Sequence, residues 1–276
     1  MSSKDKSSSA QAMDRLLDLM ARLRAPDGCA WDREQTPATL KPQMIEECYE
    51  VIEAIDAGSP PHLAEELGDL LLHIVFQAQI AREAGEFTFA DVAGGIADKL
   101  IRRHPHVFGD AKVDGSAGVV AQWHQLKKTE KPERESALDG VPRALPALMR
   151  ADALQNKARH AGFDWPDARG ALDKVREEMA EVTAEIDSDL AFARANETKL
   201  TPAPETAEEI GDLLFSIVNL TRHLKLDAEE LLTGANDKFA RRFRAMEERI
   251  KARGKTMADC TLEELDAVWN VVKAEV

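Results

Sequence analysis

Residues 44–72 read MIEECYEVIEAIDAGSPPHLAEELGDLLL. In the first part the apolar residues fall at Met44, Ile45, Cys48, Val51, Ile52 and Ile55, which is the period of a helix and not the alternation of a strand. Gly58 to Pro61 breaks the pattern, and a second helix is expected from about Leu63 to Ala84, ended by Gly85. Both segments carry acids at helical spacing. Glu47 and Glu50 lie on the flank of the first apolar arc, whereas Glu46 and Glu53 lie further round, toward water. Glu66 and Asp69 share a face of the second helix, and His73, one turn on, continues it. The expected element is a helix pair holding four carboxylates in one crevice.

Working outward, the same order recurs. VREEMAEVTAEID at 175–187 repeats the first acid helix, with Val175, Met179, Val182 and Ile186 as its core stripe and Glu178 and Glu181 beside it. AEEIGDLLFSIV at 207–218 repeats the second, with Glu209 and Asp212 three apart. Lys99, Arg102 and Arg103 follow the first pair, and Lys238, Arg241 and Arg242 follow the second, in the same Lys-x-x-Arg-Arg spacing. One acidic EExxE means little in a chain with 50 Asp and Glu. Its recurrence, together with the later acids and the basic stripe, marks two related helical units.

The rest of the chain fits around them. Residues 1–12 (MSSKDKSSSAQA) have no apolar region and are expected to be a disordered tail. The first domain is expected at 13–110, beginning with an amphipathic helix at 13–23. Residues 111–143 are expected to be a linker with a short helix around Trp123 to Lys128, and 144–276 the second domain. In that domain the acid helices are expected at about 171–187 and 207–224, with 188–206 as a longer connection. No strand pattern is long enough to assign, so the fold class is all-α.

Composition excludes several classes. A net charge of −14 argues against a nucleic-acid polymer as partner. No apolar run approaches the ~20 residues that span a bilayer. Cys29, Cys48 and Cys260 have no metal-like spacing, and their odd number suits a reducing cytoplasm.

Four carboxylates in one crevice repel each other unless cations neutralise them. Hard divalent ions such as Mg²⁺ or Mn²⁺ take oxygen ligands and commonly bridge carboxylates to phosphates. The basic stripe could then hold the phosphate oxygens that the metal leaves free. An acid cage beside a basic clamp suits a polyphosphate ester. A di-iron site would want Glu-x-x-His pairs, which neither acid pair supplies. His104 and His106 flank Pro105 without a completing ligand and are expected to cap a helix end. Trp31 and Trp165 are expected to be packing anchors. A nucleotide-binding protein without turnover is the alternative to a hydrolase, although phosphate contacts alone would not require two complete acid sets.

EExxE, a spacer and ExxD, together with CAWDREQTPATL, KLIRRHPHVFGD, SALDGVPRALPALMRA, AGFDW and KFARRF, resemble the all-α nucleoside triphosphate pyrophosphohydrolases of the MazG family over nearly the whole chain from about residue 13. The resemblance implies two related helical domains, each built around a four-helix-bundle-type carboxylate site. It implies a homodimer and Mg²⁺-dependent hydrolysis of nucleoside triphosphates to a monophosphate and pyrophosphate. It places metal at Glu178, Glu181, Glu209 and Asp212, the catalytic set, and at Glu47, Glu50, Glu66 and Asp69. Substrate contacts fall at Lys238, Arg242, Trp269 and Lys127, with Lys99 and Arg103 as the first-domain equivalents. In two-domain members the C-terminal half is the better-established catalyst. One departure is that TPAPETAEEIGD lacks a lysine that such second domains can carry just before ExxD.

Overall fold

The computed structural model describes residues 3–115, 118–119, 122–123 and 135–275. Every regular element among the described residues is helical, and the chain divides into two compact units, Met1–Pro132 and Glu133–Val276. Lys127 and the short helix expected around it lie outside the described residues.

In the first unit α1 (Ser3–Leu23), α2 (Ala30–Glu34), α3 (Lys41–Asp56), α4 (Pro60–Glu83), α5 (Phe89–Arg103) and α6 (Pro105–Phe108) follow in order. The expected tail is largely absorbed into α1, which starts at Ser3 and not at Met13. Residues 3–12 offer no core pattern, but they contain no Gly or Pro to stop a helix growing backward from its packed end. Met20, Leu40, Val75 and Phe76 form the buried core, joined by Leu16 and Leu17 of α1 and Leu72 and Ile80 of α4. The α3–α4 hairpin turns through Gly58 at φ +60°, a conformation that side-chain-bearing residues resist. Pro60 then begins α4 where its missing N–H costs nothing. A Thr88–Asp91 capping box starts α5. His104 ends it, with Nδ1 2.7 Å from the Leu100 carbonyl oxygen.

In the second unit α7 (Ala147–His160), α8 (Ala168–Ala195), α9 (Pro204–His223), α10 (Ala228–Ala252) and α11 (Leu262–Glu275) follow, with a short 3₁₀ turn at Met257–Asp259. α8 runs past the expected end at 187, because no breaker occurs before Asn196, so the connection is shorter than 188–206. The Asp189 carboxylate accepts from the Ala203 N–H and from the Thr206 hydroxyl, fastening the start of α9 to α8. α8 and α9 pack side by side and α7 packs on α9. Met246, Ile250, Val268 and Val272 close the α10–α11 pair.

Of the acid-bearing helices, α4 buries Val75, Phe76, Ala78 and Ala81, whereas α3, α8 and α9 bury little of their apolar surface. α3 contributes only Ala54 to the buried set. On α8 only one residue of the expected core stripe is buried, Val182; Val175 is half-buried, Met179 is 51% exposed and Ile186 also faces out. On α9 Ile210, Leu214 and Ile217 share an exposed face.

Candidate active site

In each unit the hairpin brings three carboxylates together. Glu47 of α3 meets Glu66 and Asp69 of α4, and Glu178 of α8 meets Glu209 and Asp212 of α9. In both sets one oxygen from each residue lies within 4.8 Å of the others. The i, i+3 spacing on the second helix puts its two acids on the face packed against the first. Glu50 and Glu181, which the sequence places in the same crevices, are exposed and fall outside these tight sets. Both still act on them: the charge of Glu50 helps to raise the pKa of Glu47, and the charge of Glu181 that of Glu209.

The electrostatics are those of an acid cage. Desolvation pushes the Glu47 carboxyl up from its ordinary value, helped by the charges of Glu50, Asp69 and Glu66. Desolvation also raises Glu209, followed by the charges of Glu181, Glu178 and Asp212. Glu178 is the deepest member at 3% exposure. Its Oε1 lies 2.5 Å from Lys174 Nζ, one turn earlier on α8. Its Oε2 is buried without a hydrogen-bond partner. Lys174 also reaches Glu177 at 2.8 Å, and these two partners, Glu177 foremost, push its pKa up. In the first unit His73, buried on α4, has Nε2 3.7 Å from Glu47 Oε1, and His62 Nε2 lies 3.0 Å from Glu66 Oε1. Three carboxylates, one with an orphaned buried oxygen, are a fitting donor set for a hard divalent cation.

The second cluster opens onto a cavity of about 670 Å³. Glu178, Asp212 and Lys174 line it together with Leu138, Phe163, Trp165 and Phe215. Gln155, Asn219 and Arg222 supply polar groups. Trp165 lies flat over Gly170, where a Cβ would stand 2.7 Å from Trp165 Cε3, so only glycine lets the indole settle there. Arg222 is anchored by Asp164 through both terminal guanidinium nitrogens, with Nη1–Oδ2 at 3.0 Å, and His223 Nε2 lies 3.0 Å from the same carboxylate.

The chain matches the MazG nucleotide pyrophosphohydrolase domain twice, at residues 35–108 and 169–246, and each match contains one of the two acid clusters. The chain belongs to the MazG family. A nucleoside triphosphate pyrophosphohydrolase of Escherichia coli K12 is 47% identical over 95% of this chain and 97% of its own length. The nucleoside triphosphate pyrophosphohydrolase/pyrophosphatase MazG of Thermotoga maritima is 45% identical over 94% of this chain and 95% of its own. An uncharacterised Bacillus subtilis protein, YabN, is 46% identical over 92% of this chain but only 50% of its own length.

The remaining residues singled out from the MazG resemblance lie on other helices. Lys238 and Arg242 are on α10, and Trp269 of α11 packs against Phe239 at 5.4 Å between ring centroids. None of the three lines the cavity. In the first unit the Arg103 guanidinium sits 5.6 Å from the Trp123 ring centroid, and Lys99 is half-buried on the same helix. Sequence reasoning passed over Lys174, although its position four residues before Glu178 was a usable signal. It also passed over Gln155, Phe163, Phe215 and Asn219. Trp165 packs as expected, but it also walls the cavity.

Proposed function

We propose that this chain is a metal-dependent nucleoside triphosphate pyrophosphohydrolase, releasing a nucleoside monophosphate and pyrophosphate, and that its working site is the Glu178–Glu209–Asp212 cluster with the adjoining cavity. The observation that carries this reading is a juxtaposition within one unit: an acid cage with an orphaned carboxylate oxygen opens directly into an aromatic-walled cavity of nucleotide size. Glu178, Glu209 and Asp212, with Glu181 at the margin, would hold Mg²⁺ or Mn²⁺ on the triphosphate. When bound, the cation supplies charge neutralisation on the phosphates and acidifies water. Lys174 holds the Glu178 carboxylate in place and carries an ammonium within reach of the phosphates. Trp165, Phe163 and Phe215 offer flat surfaces to a base. Lys238, Arg242, Trp269 and Lys127 remain proposed substrate contacts from the family resemblance.

The first unit is proposed to hold metal at Glu47, Glu66 and Asp69, with Glu50 beside them, and to contribute little turnover. Gln43 stands where the second unit has Lys174, so the cage lacks its ammonium. Phe76 stands where the second unit has Asn219, and it is buried in the core with the Arg24 guanidinium 5.5 Å from its ring centroid. Lys99 and Arg103 are the corresponding phosphate contacts.

We further propose a homodimer. The exposed stripes of α3 (Ile45, Tyr49 and Ile52) and of α9 (Ile210, Leu214 and Ile217) are too apolar to be left to water, and a second copy would complete each helix pair as a four-helix bundle.

The test is product analysis. ³¹P NMR of protein, a nucleoside triphosphate and Mg²⁺ should show monophosphate and pyrophosphate, and neither with excess EDTA. Diphosphate and orthophosphate would overturn the reaction class.

A further inference from the structure

One polar group in the cavity has no role in the reading above. Gln155 of α7 is only 6% exposed, and its Nε2 donates to the Phe215 backbone carbonyl at 2.8 Å. A carbonyl oxygen can only accept, so the amide NH₂ must face it, which fixes the orientation of the side chain. Its Oε1 is the acceptor left over, and it is buried without a hydrogen-bond partner. Gln155 lines the cavity. A buried amide oxygen with no donor is costly, so its place here points to a ligand that brings the N–H.

The neighbours locate that ligand. Asn219 Oδ1 accepts from Arg222 Nη2 at 2.6 Å, and Asp164 holds the same guanidinium. Asn219 is therefore fixed, with its NH₂ on the side away from Arg222. Asp212 and Asn219 are seven residues apart on α9, about 10 Å along the axis. That is comparable to the reach from a nucleotide's phosphates to the far edge of its base. With the triphosphate at Glu178, Glu209 and Asp212, the base lies among Trp165, Phe163 and Phe215, and its polar edge meets Gln155 and Asn219.

We propose that Gln155 is a specificity-determining residue: its Oε1 accepts a hydrogen bond from an N–H of the substrate base. The proposal rests on the hydrolase reading above. Every canonical base carries such a donor, in the amino group of adenine or cytosine, or the ring N–H of guanine, uracil or thymine. One acceptor of this kind admits them all and disfavours a base that has none. Asn219, a donor lining the same cavity, suits the acceptor that flanks each of these N–H groups.

The test compares ATP with purine riboside 5′-triphosphate, which differs by the missing amino group and has no N–H on its base. With wild-type protein and Mg²⁺, kcat/KM for ATP should exceed that for the analogue by about tenfold, mostly through KM, the size expected of one neutral hydrogen bond in a buried site. Gln155→Met keeps the length of the side chain and removes the acceptor. It should bring the two substrates to near parity by a loss confined to ATP. Equal use of both by the wild type, or an ATP preference that survives in Gln155→Met, would overturn the proposal. If Gln155→Met does not fold, the wild-type ratio decides by itself. Turnover of neither compound would contradict the hydrolase reading instead, and their relative equilibrium affinities would then give the same ratio.

Discussion

Replacing Glu178 with Gln removes one charge and almost no volume from the centre of the second acid cluster. In the native protein Glu178 is 3% exposed, one oxygen meets Lys174 at 2.5 Å, and the other has no partner. Two unit charges about 4 Å apart interact by about 4 kcal/mol at an effective dielectric near 20. The cluster opens to solvent on the side of exposed Asp212, which weakens that interaction. Even half of it, about 2 kcal/mol, is a factor of roughly 30 in affinity. Lys174 would keep Glu177 at 2.8 Å, so the fold loses only one of its two anchors on α8. The assay is the initial rate of pyrophosphate release as Mg²⁺ is titrated, with circular dichroism and melting curves on the same samples. Glu178→Gln is expected to raise the half-saturating Mg²⁺ concentration by roughly 30-fold or more while the protein stays folded. Glu177→Gln, an exposed neighbour outside the cluster, is the control and should stay within about twofold. A folded Glu178→Gln protein with the wild-type Mg²⁺ requirement would refute the reasoning.

Further outcomes follow from the same geometry. The double variant Glu66→Gln, Asp69→Asn in the first unit should leave pyrophosphate release within about twofold of wild type, because Gln43 and Phe76 stand there in place of Lys174 and Asn219; a collapse of activity in folded protein would move catalysis there. The Arg222 hydrogen bond holds the Asp164 carboxyl below its ordinary value of 3.8, so this pair stabilises the fold above that pH and the stabilisation is lost as pH falls through the depressed value. Asp164→Asn should therefore melt lower at pH 7 and show a shallower loss of stability on acidification, as read by melting curves from pH 7 to pH 3. Leu214→Asp places a charge on a residue that is 52% exposed in the isolated chain, so if that face is covered by a second copy it should shift the protein toward monomer in analytical ultracentrifugation.

The helix pairs and their acids were legible in the sequence because two signals coincide there. The apolar residues of 44–55 and 175–186 keep the helical period, and the same acid spacing occurs in both halves. The period does not say what covers a stripe. Val175, Met179, Val182 and Ile186 read as core, yet only Val182 is buried within the chain. Helix ends were less legible: α1 and α8 run on through polar residues that carry no pattern but no breaker either. The cavity was hidden for a different reason. Gln155, Trp165, Glu178 and Asn219 come from α7, the loop after it, α8 and α9, and only their packing puts them around one space. Lys174 was overlooked because an i, i+4 Lys–Glu pair on an acidic helix is ordinary surface chemistry; the depth of Glu178 is what distinguishes it.

The most direct test of the central claim is pyrophosphate release by Asp212→Asn at saturating nucleotide and Mg²⁺. Asp212 belongs to the cage, lines the cavity and is exposed, so its amide isostere disturbs the metal site and not the core. The expected result is a fall of at least roughly a hundredfold with an unchanged circular dichroism spectrum. Wild-type turnover by Asp212→Asn would contradict the assignment of catalysis to the second acid cluster.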